Sequence, residues 1–571
     1  MADTQLSPLV KQSRASLARL FHGELQVGTN SRCPLRVNLQ SQPVSRSGSL
    51  PKPFPATSFP TETQHLCAPC FRPAAMLWSG QAGFSRDIMA DSTESATAAP
   101  PRLIGWALLV LVAAELVFLY AGASGAAILS QALVVALPLL AWRALRLREI
   151  YLLAICFVLL ALAWLTGKPV AALSLEALSR AAYLASFILL MALLREGALA
   201  SPAVLEVGTF LTRQPASRRF LALFGGGHFF AVLINLGALS LLAPIIQRGV
   251  RAGIAAGEPL DDIAQVRERR QLSAALRGFS WFLVWAPTAV TQAVMPTLMS
   301  GIDPVRLIVT GLGLTLLMLG VSWAEDSLRW HGFRKKLQAE GRLPLSTAMR
   351  LPGRAARNLG FVCFALIGLT IGFTALAHVS IVTGVMLAAP IVVALWVFVQ
   401  QPEGALRRRT TAAAGRLGEI TFTAIPGYVR EAVFIGCAGF IGTLAAKLVP
   451  AADVAAQIGL AGLPGWLVLW ALTVTVWVFG QVGISPIAMA VFLGSLVAEL
   501  PDLPVDITLA ALAIAAGTAV ASTGAPFSSG ALMLARATGH SSFTLTWRWN
   551  GAYTLVAMAV LAVVYAVLAS M

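Results

Sequence analysis

Stretches of about 17–25 apolar residues recur along this chain, each set off from the next by a short polar or basic segment. About 20 such residues in helical form cross the hydrocarbon core of a bilayer. Candidate spans lie at 103–122, 124–142, 150–165, 181–195, 305–324, 359–377, 379–400, 432–449, 464–480 and 551–570. Composition agrees: 57% of the residues are hydrophobic and 12% are charged, about half the charged share of a soluble chain. An ordinary soluble enzyme, a disordered chain and a disulfide scaffold are excluded. The chain reads as an all-α polytopic membrane protein. Its formal charge of +16 sits in clusters between apolar segments, as in cytoplasmic loops. No segment carries a nucleic-acid-binding motif, so no nucleic-acid partner is expected; the surrounding partners are membrane lipids.

The basic clusters set the expected orientation. Arg143, Arg146 and Arg148 mark one cytoplasmic loop, and Arg213, Arg218 and Arg219 a second. The polar stretch 325–357 and the group Arg407, Arg408, Arg409 and Arg416 mark two more. Arg far outnumbers Lys, and Ala, Gly, Leu and Val are abundant, a bias that suggests a bacterial chain. A multi-pass protein of the bacterial inner membrane is the expectation.

Four regions follow: 1–88, a first transmembrane half at 89–324, a cytoplasmic linker at 325–357 and a second half at 358–571. Residues 1–88 are rich in Ser, Pro, Gln and Arg and lack a span-length apolar run. They read as a transit-type presequence, a disordered extension, or the product of a misassigned start. The third reading is favoured, because Met89 opens a short polar segment that leads directly into the first span. Cys67 and Cys70 have redox-motif spacing, but no second pair accompanies them. Cys33 also lies in this region, whereas Cys156, Cys363 and Cys437 fall in apolar segments and read as small core residues.

Residues 220–247 are apolar with basic flanks on both sides. A re-entrant hairpin would keep both flanks on one side, with Gly225-Gly226-Gly227 as its turn; a single crossing beside a long loop is the alternative. Farther on, Trp285-Ala286-Pro287-Thr288 and Ser522-Thr523-Gly524-Ala525-Pro526-Phe527-Ser528-Ser529-Gly530 interrupt apolar stretches with helix-breaking residues. Backbone groups freed at membrane depth need protein or a watery cavity to satisfy them. Amides at a half-helix N-terminus favour an anion, while freed carbonyls and hydroxyls suit Na⁺.

The two interruptions also align. Gly278–Leu298 lies on Gly517–Ala537 without a gap, so that Ala286-Pro287 falls on Ala525-Pro526. Upstream, 224–244 resembles 479–501 at a similar offset. An internal repeat is therefore expected. Asn235 sits in an apolar helix, where its amide needs a partner. Glu115, in the middle of the first span, and His228 are the candidate proton carriers.

At these residues the chain resembles the ion transporter superfamily, which includes arsenite permeases, sodium–dicarboxylate carriers and TRAP large subunits. The likeness rests on Asn235–Pro244, the break at Trp285–Met295, Gly483-Ile484-Ser485-Pro486 and Thr523–Gly530. The Ser-Asn-Thr tripeptide of the sodium–dicarboxylate branch is absent from both breaks. The resemblance implies an elevator-type transporter with two inverted repeats, re-entrant hairpins and broken helices, and a scaffold that forms a homodimer. It implies that Thr288, Thr291, Ser522, Thr523, Ser528 and Ser529 line a substrate or ion site, supported by Asn235 and Ser485. The expected function is secondary active transport of a small, anionic solute, driven by Na⁺ or H⁺, with no cofactor beyond such an ion. A TRAP-type large subunit is the alternative within transport. A membrane-embedded transferase acting on lipid-linked substrates is the alternative of another class. The chain has no HExxH motif and no Asp-rich metal motif at a helix end, and Asp261-Asp262 falls in a polar loop, so no enzyme is expected. With no evident intramembrane arginine, backbone amides are expected to hold the anion.

Overall fold

The computed structural model describes residues 101–199, 201–255, 262–342, 349–401, 404–500 and 503–570. The readings of 1–88, including Cys67 and Cys70, lie outside them. Every regular element among the described residues is helical. Nine of the helical stretches are long and apolar enough to cross a bilayer, and the chain is a multi-pass membrane protein.

Four helices come first: α1 (Pro101–Ala121), α2 (Ser124–Leu140), α3 (Leu147–Leu165) and α4 (Val170–Leu199). A short α5 (Pro202–Thr212) leads to a helix–turn–helix, α6 (Ala216–Ile234) and α7 (Gly237–Ala255). Next comes α8 (Asp262–Trp281), whose path is interrupted until α9 (Val290–Leu298). The long α10 (Pro304–Ala339) continues into the polar stretch after residue 325. Then follow α11 (Gly353–Leu376), α12 (Ile381–Val399), α13 (Leu406–Glu419) and α14 (Val429–Leu448). After the short α15 (Ala451–Gln457), the earlier pattern returns. A helix–turn–helix, α16 (Gly465–Gln481) and α17 (Pro486–Ala498), precedes α18 (Ile507–Gly524), a break, and α19 (Ser529–Thr538). The last helix is α20 (Gly551–Ala569).

Helix α10 gives the direction of its neighbours. From Pro304 to Asp326 it rises about 33 Å at ~1.5 Å per residue, close to the thickness of the hydrocarbon core. Asp303 caps its start, and there the Asp303 amide donates to Thr508 at the beginning of α18, while Arg306 pairs with Asp506. At the far side of that rise it meets the first half of α8, through Arg270–Asp326 at 2.6 Å. Helices α8 and α18 therefore set out from opposite ends of α10. They converge on their breaks, where the Thr291 and Thr518 hydroxyls are 3.3 Å apart.

Each broken helix is crossed closely by the first arm of its own helix–turn–helix. A Cβ on Gly278 would strike the Phe224 carbonyl, and one on Gly517 would lie 2.8 Å from Val476 and 3.0 Å from the Thr473 carbonyl. These are the two glycines that open the aligned segments. Adding a methyl where the obstacle is backbone forces the helices apart, an overpacking that costs typically about 1–3 kcal/mol or more. Gly278→Ala is expected to lower the yield and melting temperature of the purified protein, and full retention of both would show that α6 and α8 can separate freely.

The turn of the first helix–turn–helix lies elsewhere than Gly225-Gly226-Gly227. All three glycines are inside α6, and the chain reverses at Asn235. The glycines serve packing instead: a Cβ on Gly227 would lie 2.8 Å from the Ala275 carbonyl oxygen. Stretch 464–480, read from sequence as a simple crossing, is the first arm of α16–α17, which turns back at Gly483 (φ +93°). Helix α18 was absent from the expected spans. Its Ala, Gly and Thr content dilutes its hydropathy, and almost all of it is buried within the protein.

Candidate solute-binding cavity

Both breaks are braced by an amide side chain from the adjacent turn. Asn235 donates from Nδ2 to the Thr288 carbonyl (3.1 Å), and its Oδ1 accepts from the Leu236 amide (2.8 Å). These bonds hold Asn235 at φ +50°, a conformation rare for a residue with a side chain. In the second half, Gln481 Nε2 donates to the Gly524 carbonyl at 3.0 Å. Carbonyls released by the interruptions are thus taken by side chains, as burial at membrane depth demands.

Between the breaks lies a cavity of about 110 Å³. Asn235 and Leu236, Val290 and Thr291, Pro486 and Ile487, and Ser528 to Gly530 all line it. These are the first residues, or the residues just before, of α7, α9, α17 and α19. Four helix N-termini therefore converge on one space. Each carries the equivalent of about half a positive charge at its first-turn amides, of which those of Leu236 and Ala531 are taken by Asn235 and Ser528. Thr518 and Ser522 add hydroxyls, and Phe279, Leu283, Phe434 and Met533 supply apolar wall.

Of the residues expected to bind, Asn235, Thr291, Ser522, Ser528 and Ser529 line this cavity, and Thr288, Thr523 and Ser485 do not. The Thr288 hydroxyl donates to the Val232 carbonyl at 2.7 Å and that of Thr523 to Val520 at 3.0 Å. Ser528 caps α19 through the Ala531 amide and donates to the Ser522 carbonyl. The Ser485 hydroxyl is buried without a partner among the described residues.

The two candidate proton carriers sit outside the lining. His228 Nδ1 is 3.1 Å from the Gly278 carbonyl, and Nε2 accepts from the Trp285 indole at 3.0 Å. That pairing suits a neutral ring protonated at Nδ1; a proton on Nε2 would face another donor. Glu115 is buried beside Ser130 of α2. Among the described residues, no group of three or more His, Cys, Asp or Glu is placed to share a metal ion.

Three charged residues unforeseen in the sequence complete the lining: Arg148 of α3, Glu431 of α14 and Arg536 of α19. Arginine side chains thus stand beside the helix starts in this lining. Arg148 lies 4.1 Å from the Phe434 ring centroid and pairs with the fully buried Glu149 at 2.9 Å. Arg536 is exposed and has no ion-pair partner among the described residues. It lies two residues before Thr538, whose carbonyl accepts from Gln247, and Gln247 also touches Glu268 of α8. Arg536 is therefore toward the Asp326 end of α10. Residues 148 and 536 come from basic clusters or helix ends that no periodicity connects, so only the fold could bring them together.

No family model matches the chain, and no curated protein matches it. Among solved structures, the crystal structure of the Alcanivorax borkumensis YdaH transporter, described as having an unusual topology, is similar. The two are 15% identical with a TM-score of 0.48, over 74% of this chain and 98% of that one.

Proposed function

We propose that the protein is a secondary active transporter of a small anionic solute, with the cavity between the two breaks as its binding site. The observation that carries this reading is the convergence of four helix N-termini on one cavity, with Arg148 and Arg536 beside them. A fixed positive field enclosed by apolar wall favours an anion over a cation or a neutral solute. The two helix–turn–helix and broken-helix sets, entered from opposite ends of α10, support a reading as inverted repeats. An elevator movement of those sets against a scaffold is the corresponding mechanism. The basic residues after Asp326 support a cytoplasmic reading of that end in an inner membrane, with the cavity as described facing inward.

The test uses the purified full chain and thermal melting with sulfate, succinate, benzoate, choline and glucose, each with and without Na⁺. Ligands that bind only the native state raise the melting temperature. Stabilisation by one or more anions, with none by choline or glucose, is the expected result. Stabilisation by choline alone would overturn the assignment of charge. A strong requirement for Na⁺ would identify the coupling ion, and its absence would turn attention to H⁺.

A further inference from the structure

Among the described residues, Glu431 is the one carboxylate that lines the cavity, and its surroundings differ from those of the acids near it. Glu149 is occupied by Arg148, by the Arg146 amide at 2.9 Å and by Arg430 at 3.6 Å. Glu196 accepts the Tyr428 hydroxyl. Glu431 makes no hydrogen bond and no contact ion pair among the described residues; the buried Arg195 is its neighbouring charge, and Glu431 itself is half-buried. We propose that Glu431 is the proton-binding carboxylate of the cavity, taking up a proton as the solute anion enters. The proposal rests on the anion-carrier reading above.

The charged groups around Glu431 are few. Arg148 of α3 lines the same cavity but is already paired with Glu149. Helix α4 brings Arg195, which has Glu431, Glu196 and Tyr428 as its neighbouring charges. Tyr428 lies in the turn before α14, and Arg430 is directed to Glu149. Across the cavity stands Arg536 of α19. Helices α2, α9, α17 and α18 contain no titratable side chain.

An empty cavity with this positive lining accommodates the Glu431 carboxylate as its resident anion. A solute anion in a space of about 110 Å³ must sit within a few ångströms of that carboxylate. Two like charges so placed disfavour one another, and a proton on the carboxyl oxygen removes the conflict. Anion and proton then favour each other's binding, by reciprocity. The proton is drawn from water at the Asp326 end and returns to water when the anion leaves. No bond other than O–H is made or broken. Proton and anion would thus travel together, and a pH gradient would drive accumulation.

The decisive experiment measures affinity and proton uptake for sulfate, succinate and benzoate by calorimetry in buffers of different ionisation enthalpy. Wild type is expected to take up about one proton per anion and to lose affinity by up to about tenfold per pH unit as the pH rises. Glu431→Gln should bind with no proton uptake and with affinity independent of pH. Glu431→Asp should restore the slope with a displaced midpoint. Proton uptake or a pH slope that survives in Glu431→Gln would overturn the proposal, as would a wild type that binds an anion with neither. If Glu431→Gln fails to insert, the comparison passes to Glu431→Asp, where an unmoved midpoint is the overturning result. Failure of all three anions to bind well-folded wild type would instead overturn the anion cavity itself.

Discussion

Arg536→Ala combined with Arg148→Ala is expected to weaken binding of sulfate, succinate or benzoate by a factor in the hundreds or more. A hydrogen bond to a charged group contributes about 1.5–3 kcal/mol, roughly 10- to 150-fold for each guanidinium. Of the two single variants, Arg536→Ala is the cleaner, because that side chain is exposed and makes no ion pair among the described residues. Arg148→Ala also takes one of two arginines from the buried Glu149, leaving Arg430 at 3.6 Å, so part of its effect is on stability. Equilibrium dialysis of the probe anion, with melting temperature measured in parallel, separates the two. An unchanged affinity in the double variant would move the anion site away from this cavity.

A larger effect on stability is expected at Arg277. Its guanidinium is 3% exposed, donates from Nε to Asn550 Oδ1 at 2.8 Å, and pairs with Glu325 at 2.9 Å. It also lies 4.0 Å from the Tyr553 ring centroid. One side chain thus joins α8 to α10 and to the start of α20. Removing one partner of a buried ion pair costs about 3–5 kcal/mol, because the other charge is left without compensation. Arg277→Ala should therefore fail to yield a stable monodisperse protein. Glu325 retains Arg329 at 3.2 Å, so the loss should fall most heavily on Asn550 and the α8–α20 contact. Normal melting of Arg277→Ala would show that the network is dispensable.

Much of the architecture could be read from residue type and spacing, for identifiable reasons. Pro, Gly and hydroxyl residues inside apolar runs have a narrow set of uses at membrane depth, so the breaks at 285–289 and 525–528 were visible. Their ungapped alignment points to Gly278 and Gly517, which occupy equivalent helix crossings. The triple glycine was misjudged because glycine permits both a tight turn and a close helix approach, and sequence alone does not separate them. The turn falls at Asn235 because its amide satisfies both its own strained backbone and the freed Thr288 carbonyl. The hydroxyls of Thr288 and Thr523 are spent on nearby carbonyls, a local choice that depends on rotamer and not on spacing. Arg148, Glu431 and Arg536 are far apart in the chain and belong to unremarkable basic or polar surroundings, so their meeting depends on tertiary packing.

The four converging helix starts have a consequence for how such a site can change over time. Their positive field is a property of peptide units, not of side chains, and no single substitution removes it. On the proposed reading, polar residues around the cavity could be exchanged to suit solutes of different size and shape, while the backbone's share of the positive field persists. The same backbone origin means that the field can be lost only by displacing a helix start, for example by straightening one of the breaks. Mutations that alter specificity should therefore be scattered among the lining side chains. Those that abolish charge preference should cluster at Asn235, Gln481 and the residues that keep the two helices broken.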